Sequence, residues 1–369
     1  MKIGIDARIA KWHIGSGLGN YTKNMIKNLK AIDHENEYIL FTSTKEEKYG
    51  WFRSENEVSS GKIKEFWKLI YESKWENQPQ VDIFHNMTNG IGVPSKGDYK
   101  LVITIKDMIP YVMPKTVNEQ HLEYVLKYTP KVIEKADKII TTSNHSKKDI
   151  ERYFHLPKEK VSVIYYAPDK IFRPLEKNKA KEIIKEKYGI KNKFILYVGG
   201  FSSRKNIERL IRAFHMIHNE FEEEYKLVIL GDTSLTYESL NKLVKELSIE
   251  EKVIFTGFVE KKTILYFYNG CEAFVYPSLY EGFSLPPLEA AACGVPIITS
   301  KVSSIPEIMG NCCIYINPYD VINIAQTIYD TIIDKDLRMK LSQQSLKHSK
   351  KYSWKRTSEE IVEVYKHLM

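Results

Sequence analysis

Short apolar, β-branched runs alternate with longer stretches of helical period along the whole chain. In the first half the pattern predicts strands at 2–7, 37–43, 81–85, 100–105, 138–142 and 160–165. In the second half it predicts them at 193–199, 225–231, 252–257, 272–277, 295–300 and 312–316. Helical periods fill the gaps, as at 21–31, 146–154, 206–218 and 235–247. Strand, helix and strand repeated in this way predict an α/β protein with parallel sheets covered on both faces.

The strands fall into six before residue 170 and six after 190, which suggests two doubly wound domains in tandem. The pattern breaks at APDKIFRPL, where Pro168 and Pro174 mark the join. Two such domains leave a cleft at the C-terminal ends of both sheets, the usual ligand site of open parallel sheets.

Composition narrows the class. The 55 Lys and Arg against 47 Asp and Glu give a net charge of +8, spread thinly and with no basic tract that would follow a phosphate backbone. Nucleic acid is not expected as a partner, whereas peripheral association with an anionic membrane surface stays open. No window approaches 18 consecutive apolar residues, and the N-terminus reads as a strand rather than a signal peptide, so the expected location is the cytoplasm or the inner face of the cell membrane. Cys271, Cys293, Cys312 and Cys313 form no C-x-x-C pair and sit in apolar runs, as small buried hydrophobes do.

Three segments carry candidate chemistry. The turn Gly15-Ser16-Gly17-Leu18-Gly19 follows the first strand and opens a helix; it fits an anion site and a simple tight turn equally. The run Gly199-Gly200-Phe201-Ser202-Ser203-Arg204-Lys205-Asn206 sets two cations at a helix start, where the helix dipole opposes them. A bound phosphate would reverse that penalty, and this reading is favoured over a solvated basic helix start. In the third segment, Tyr280 to Gly294, Glu281 lies in a strand-end loop and Glu289 on the short helix behind it. N–H groups at Ser284, Leu285 and Leu288 could meet a diphosphate, and the two carboxylates could hold sugar hydroxyls on either side. The spacing of two glutamates alone would fit solvated helix-end acids as well.

Taken together these residues resemble the family 4 retaining glycosyltransferases of the GT-B fold, particularly bacterial mannosyltransferase-like members. The E-x7-E pattern falls on Glu281 and Glu289, the G-G-x-x-x-R-K-N pattern on Gly199, Gly200, Arg204, Lys205 and Asn206, and the G-x-G-x-Y pattern on Gly17, Gly19 and Tyr21. VDIFHNMTN, ADKIITTSNHSKKDI and KVSVIYYAPD extend the likeness over nearly the whole chain. The resemblance implies an acceptor-binding domain over 1–170, a donor-binding domain over 171–352, and a last helix, 353–369, that crosses back to the first. It implies transfer of a hexose, mannose from GDP-mannose being the family-level expectation, to a hydroxyl of a saccharide or lipid-linked acceptor in cell-surface polysaccharide synthesis. Retention, no cofactor and no required metal belong to the same expectation.

In that scheme Arg204 and Lys205 stabilise the leaving diphosphate and Glu281 holds the transferred sugar. Glu289 holds the ribose, Gly17 lets the N-terminal loop approach, and backbone near Phe258 and Val259 edges the base. Gly200, Phe283, Ser284 and Leu285 complete the donor side. His85, Lys106 and Asp107 stand on the acceptor or sugar side, His85 also fitting a buried strand-end role. Two positions depart from the family pattern. Lys106 replaces the usual histidine of a His-Asp pair and brings a fixed positive charge; Ser284 replaces a glycine and is expected to keep an ordinary backbone conformation. A nucleotide-sugar epimerase or hydrolase on the same fold, and a non-catalytic sugar-nucleotide-binding module, are the competing readings.

Overall fold

The structure, a computed structural model, describes residues 1–12, 17–42, 67–71, 80–93, 97–231 and 236–369. The first sheet holds β1 (Lys2–Asp6), β2 (Glu37–Thr42), β3 (Trp67–Tyr71), β4 (Ile83–Asn86), β5 (Lys100–Thr104), β6 (Lys138–Thr141) and β7 (Val161–Val163), in the order β3-β2-β1-β4-β5-β6-β7. The second holds β8 (Lys193–Val198), β9 (Tyr225–Leu230), β10 (Val253–Gly257), β11 (Ala273–Tyr276), β12 (Ile297–Ser300) and β13 (Ile314–Ile316), in the order β10-β9-β8-β11-β12-β13. Every pairing is parallel.

The central strands are buried along their length: only the first residue of β1 is exposed, and all four residues of β11 are buried. Helices cover both faces, which is why these strands read as continuous apolar runs rather than alternating ones. All twelve predicted strands form. The edge strand β3, which pairs with β2, escapes the sequence pattern because EFWKLIY carries no turn residue at either end to punctuate it.

In each sheet the chain order reverses next to the strand that begins it, between β1 and β4 and between β8 and β11. Loops leaving the C-terminal ends of those strands diverge to opposite faces and open a crevice, the position where such folds receive ligands. The helix Trp354–Lys366 crosses to the first sheet. Its Trp354 ring lies 5.8 Å from that of Tyr21, and the Tyr365 hydroxyl reaches His85 Nδ1 at 2.6 Å. All four cysteines are buried and unpaired.

Candidate active site

β8 ends at Val198, and the chain passes through Gly199 and Gly200 into a single tight helical turn, Ser203–Lys205. Asn206 then takes the left-handed conformation, and its side-chain N–H groups donate to the carbonyls of Pro277 (3.0 Å) and Pro318 (2.7 Å). The loop after β8 is thereby tied to the loop after β11, its neighbour in the sheet. A Cβ on Gly200 would meet no heavy atom within 4 Å, so packing does not demand a glycine there.

These ties bring Arg204, Lys205 and Glu281 together. One carboxylate oxygen, Glu281 Oε1, accepts from Arg204 Nη1 (3.0 Å), Lys205 Nζ (2.6 Å), Tyr276 Oη (3.0 Å) and Ser278 Oγ (2.5 Å). Glu281 is 7% exposed and Lys205 8%. Burial alone would raise the Glu281 pKa, but the charges of Lys205 and Arg204 bring it down to about 2. Burial, reinforced by Arg204, lowers Lys205 to about 8 despite its carboxylate partner. One buried and one half-buried cation thus share one carboxylate, and the cluster carries an excess positive charge that an arriving polyanion would neutralise.

The short helix Leu285–Ala292 follows, with prolines in its first turn. Ser284 caps it with φ 80° and ψ 53°, contrary to the ordinary conformation expected of a serine. The Ser284 hydroxyl is buried and makes no hydrogen bond among the described residues. Phe283 stacks on Tyr166 at 4.0 Å between centroids, so its ring serves the core and only its backbone can face a ligand. Glu289 accepts from the Tyr268 hydroxyl at 3.3 Å; burial raises its pKa to about 8, against the pull of Lys261 and of that hydrogen bond. Val259 is buried just beyond β10, whereas Phe258 beside it is 67% exposed.

Across the crevice lie residues from the first sheet. Gly17 begins the helix Gly17–Ile32; Gly15 and Ser16 lie outside the described residues. Lys106 and Asp107 follow β5. Lys106 is 6% exposed with its Nζ 4.2 Å from the centre of the Tyr21 ring. Burial, opposed by Asp107, drives its pKa well below the ordinary lysine value, so its positive charge is held less firmly than that of an exposed lysine. Burial also raises the Asp107 pKa, opposed chiefly by Arg204 on the other side of the crevice. A Cβ on Gly282 would come within 2.3 Å of the Lys106 carbonyl oxygen, so the loop carrying Glu281 touches the first sheet's edge here and no side chain fits between them.

His85 does not line the crevice. It is fully buried, with Nδ1 on Tyr365 and Nε2 2.7 Å from Thr104 Oγ1, and burial lowers its pKa to about 3. A neutral ring with both nitrogens engaged inside the fold has nothing left to offer an acceptor, so the strand-end role is the correct one of the two.

Sequence reasoning passed over several polar groups that brace the strand ends. Arg8 donates to Asp6 through Nε (2.9 Å) and Nη2 (2.7 Å) directly after β1, and Asn86 Nδ2 adds a bond to Asp6 at 3.0 Å. The charged pair at the end of an apolar strand was the available signal. Tyr268, Tyr276 and Ser278 gave none, since tyrosine and serine are common in cores and loops alike. Among the described residues no three His, Cys, Asp or Glu side chains gather as a metal site, and no helix is long and apolar enough to cross a membrane.

Comparison with known proteins bears on the family and the fold. The family model for glycosyl transferases group 1 matches residues 180–348, and that for glycosyltransferase family 4 matches residues 15–169. The chain is 28% identical over 267 residues to the O-antigen chain mannosyltransferase B of Escherichia coli, covering 72% of this chain and 70% of that one. It is 28% identical over 295 residues to a serotype-specific mannosyltransferase WbdA of Escherichia coli, covering 77% of this chain but 36% of that protein, so it spans about a third of that relative's length. A sucrose-phosphate synthase from Thermosynechococcus elongatus superposes with a TM-score of 0.78 over 100% of this chain and 99% of its own; at 18% identity the likeness is one of fold.

Proposed function

The chain is a glycosyltransferase of the GT-B fold, its halves belonging to the family 4 and group 1 glycosyltransferases, and on that premise we propose that it moves a hexose with retention from a nucleotide diphosphate sugar to an acceptor hydroxyl. The observation that carries this reading is that Arg204 and buried Lys205 share Glu281 Oε1. Negative charge grows on the diphosphate as the glycosidic bond breaks, and preorganised cations in a dry crevice stabilise that state more than the ground state. They fill the role a metal ion serves in other transferases, so activity is expected to persist in EDTA.

In this reading Glu281 Oε2, which accepts none of the hydrogen bonds found among the described residues, is left for the hydroxyls of the transferred sugar. Glu289 takes the ribose hydroxyls, and the backbone at Gly17, Gly200, Ser284 and Leu285 approaches the diphosphate. Phe258 and Val259 edge the base. Asp107 and Lys106 face the sugar from the domain over 1–170, which receives the acceptor, while 171–352 holds the donor. The departing phosphate oxygen takes the acceptor proton, so no separate base is required. The mannosyltransferases among its relatives support mannose as the sugar and a cell-surface glycan, saccharide or lipid-linked, as acceptor; GDP-mannose is the donor proposed.

A panel of nucleotide sugars, each offered with and without saccharide and lipid-linked acceptors, tests the reading. Acceptor-dependent release of GDP from GDP-mannose, with the anomeric configuration kept in the product, is the expected result. Binding without release of any nucleoside diphosphate would mark a binding module, and donor isomerisation without acceptor an epimerase.

A further inference from the structure

The helix Asn144–Phe154, which follows β6, turns its N-terminus toward the second half of the chain. Free N–H groups there attract negative charge, and the chain supplies it internally. Glu307, on the short helix Ile305–Met309, sets Oε1 2.7 Å from the Asn144 backbone nitrogen and 2.9 Å from Asn144 Nδ2, and Oε2 3.1 Å from the His145 nitrogen. The Tyr165 hydroxyl donates to the same Oε1 at 2.8 Å. Beside it the Gly282 carbonyl accepts from Ser143 Oγ (2.7 Å), Thr142 Oγ1 (3.2 Å) and Ser146 Oγ (3.2 Å). Tyr280 donates to Asp149 Oδ2 at 2.6 Å, farther along the same helix.

Glu281 lies between Tyr280 and Gly282, and it is bound by its backbone to the segment leading into the Glu307 helix. Its N–H donates to Ser303 Oγ at 2.9 Å, and its carbonyl accepts from Ser304 Oγ at 2.8 Å. The helix N-terminus is therefore linked to the Glu281 loop by the Glu307 hydrogen bonds, the covalent backbone of 303–307, and the bonds of Ser303 and Ser304 to the Glu281 backbone. Charge-assisted bonds to backbone N–H groups are the stronger members of this chain.

We propose that Glu307 is a positioning residue for the transfer step. Seated on the N-terminus of Asn144–Phe154, it holds the loop 280–284 against 106–107, so that the Arg204–Lys205–Glu281 cluster faces Lys106 and Asp107 in one fixed register. It touches neither the cluster nor any reacting atom, and the proposal rests on the sugar-transfer reading of the site. Small misplacements between the two sides of a reacting pair are costly in rate, whereas the nucleotide's contacts at Phe258, Val259 and Glu289 lie within 171–352 and are spared.

The test uses the full chain carrying Glu307→Ala or Glu307→Gln. Glu307→Ala should lower kcat by about tenfold or more, with Glu307→Gln between it and wild type. KM for the donor, and nucleoside diphosphate affinity by calorimetry, should stay within about threefold of wild type. Small-angle X-ray scattering of Glu307→Ala should show a broadened, larger particle. An unchanged kcat overturns the proposal, and so does a parallel loss of kcat and nucleotide affinity, which would mean a damaged donor pocket. Should Glu307→Ala fail to fold, Tyr280→Phe, which removes the bond to Asp149, is expected to lower kcat with nucleotide affinity unchanged; an unaltered kcat overturns the proposal there too. Should wild type turn over no nucleotide sugar, the transfer reading fails on its own, and unaltered scattering in the Glu307 variants overturns the positioning role separately.

Discussion

Arg204 and Lys205 differ in what they can do although they meet the same oxygen. Arg204 also donates to the Tyr280 carbonyl at 3.1 Å, and Glu281 outweighs the effect of burial to raise its pKa, so it stays charged throughout. Arg204→Ala is therefore expected to lower kcat on the order of a hundredfold with a smaller effect on donor KM, measured by steady-state kinetics; an equal kcat would remove it from the leaving-group role. Glu289 gives a prediction on stability. Its folded pKa of about 8 lies above the ordinary carboxyl value of 4.5, so between these two the folded state holds this proton while the unfolded state has lost it. Stability then falls as pH rises from the unfolded pKa through the folded one. Glu289→Gln, which cannot ionise, should melt like wild type below about pH 4 and higher than wild type above about pH 8. Melting curves across that range check it, and a constant difference at all pH values would count against a carboxyl protonated in the folded state.

At the scale of an element, the helix Leu285–Ala292 shows how local conformation and site geometry trade against each other. A non-glycine residue in the left-handed region costs about 1–2 kcal/mol, and here the serine adds a buried hydroxyl without a partner among the described residues. Ser284→Gly should raise stability by about 1 kcal/mol in denaturant titrations; a loss would mean that the hydroxyl has a structural partner after all. The position of this helix was legible in the sequence, because strand, loop, prolines and Gly294 mark its limits locally. Its cap conformation was not, because it depends on Phe283 being held by Tyr166, a residue more than a hundred positions earlier.

At the scale of the whole molecule, the last helix returns across the chain to close the first sheet. Thr357 donates to the Tyr165 carbonyl at 2.7 Å, Trp354 lies against Tyr21 and Tyr166, and Tyr365 satisfies His85. Tyr365→Phe leaves a buried imidazole nitrogen without its partner and should cost about 1–3 kcal/mol of stability. Chemical denaturation measures this; an unchanged midpoint would show that His85 finds another partner.

Periodicity and strand-end punctuation are local properties, and they were enough to determine two parallel sheets, the crevice at their C-terminal edges, and Arg204, Lys205, Glu281 and Glu289 as residues placed beside it. The rest depended on which segments meet, and that is settled by packing between residues far apart in the chain. Lys205 reaches Glu281 across 76 positions and Asn144 reaches Glu307 across 163, distances at which no sequence period carries information. Burial, likewise a property of the assembled fold, turned His85 inward and neutral, and set Lys106 against Tyr21 with a lowered pKa. The sequence alone determined the residue types at the site; only the tertiary structure decided their partners, and through desolvation their charge.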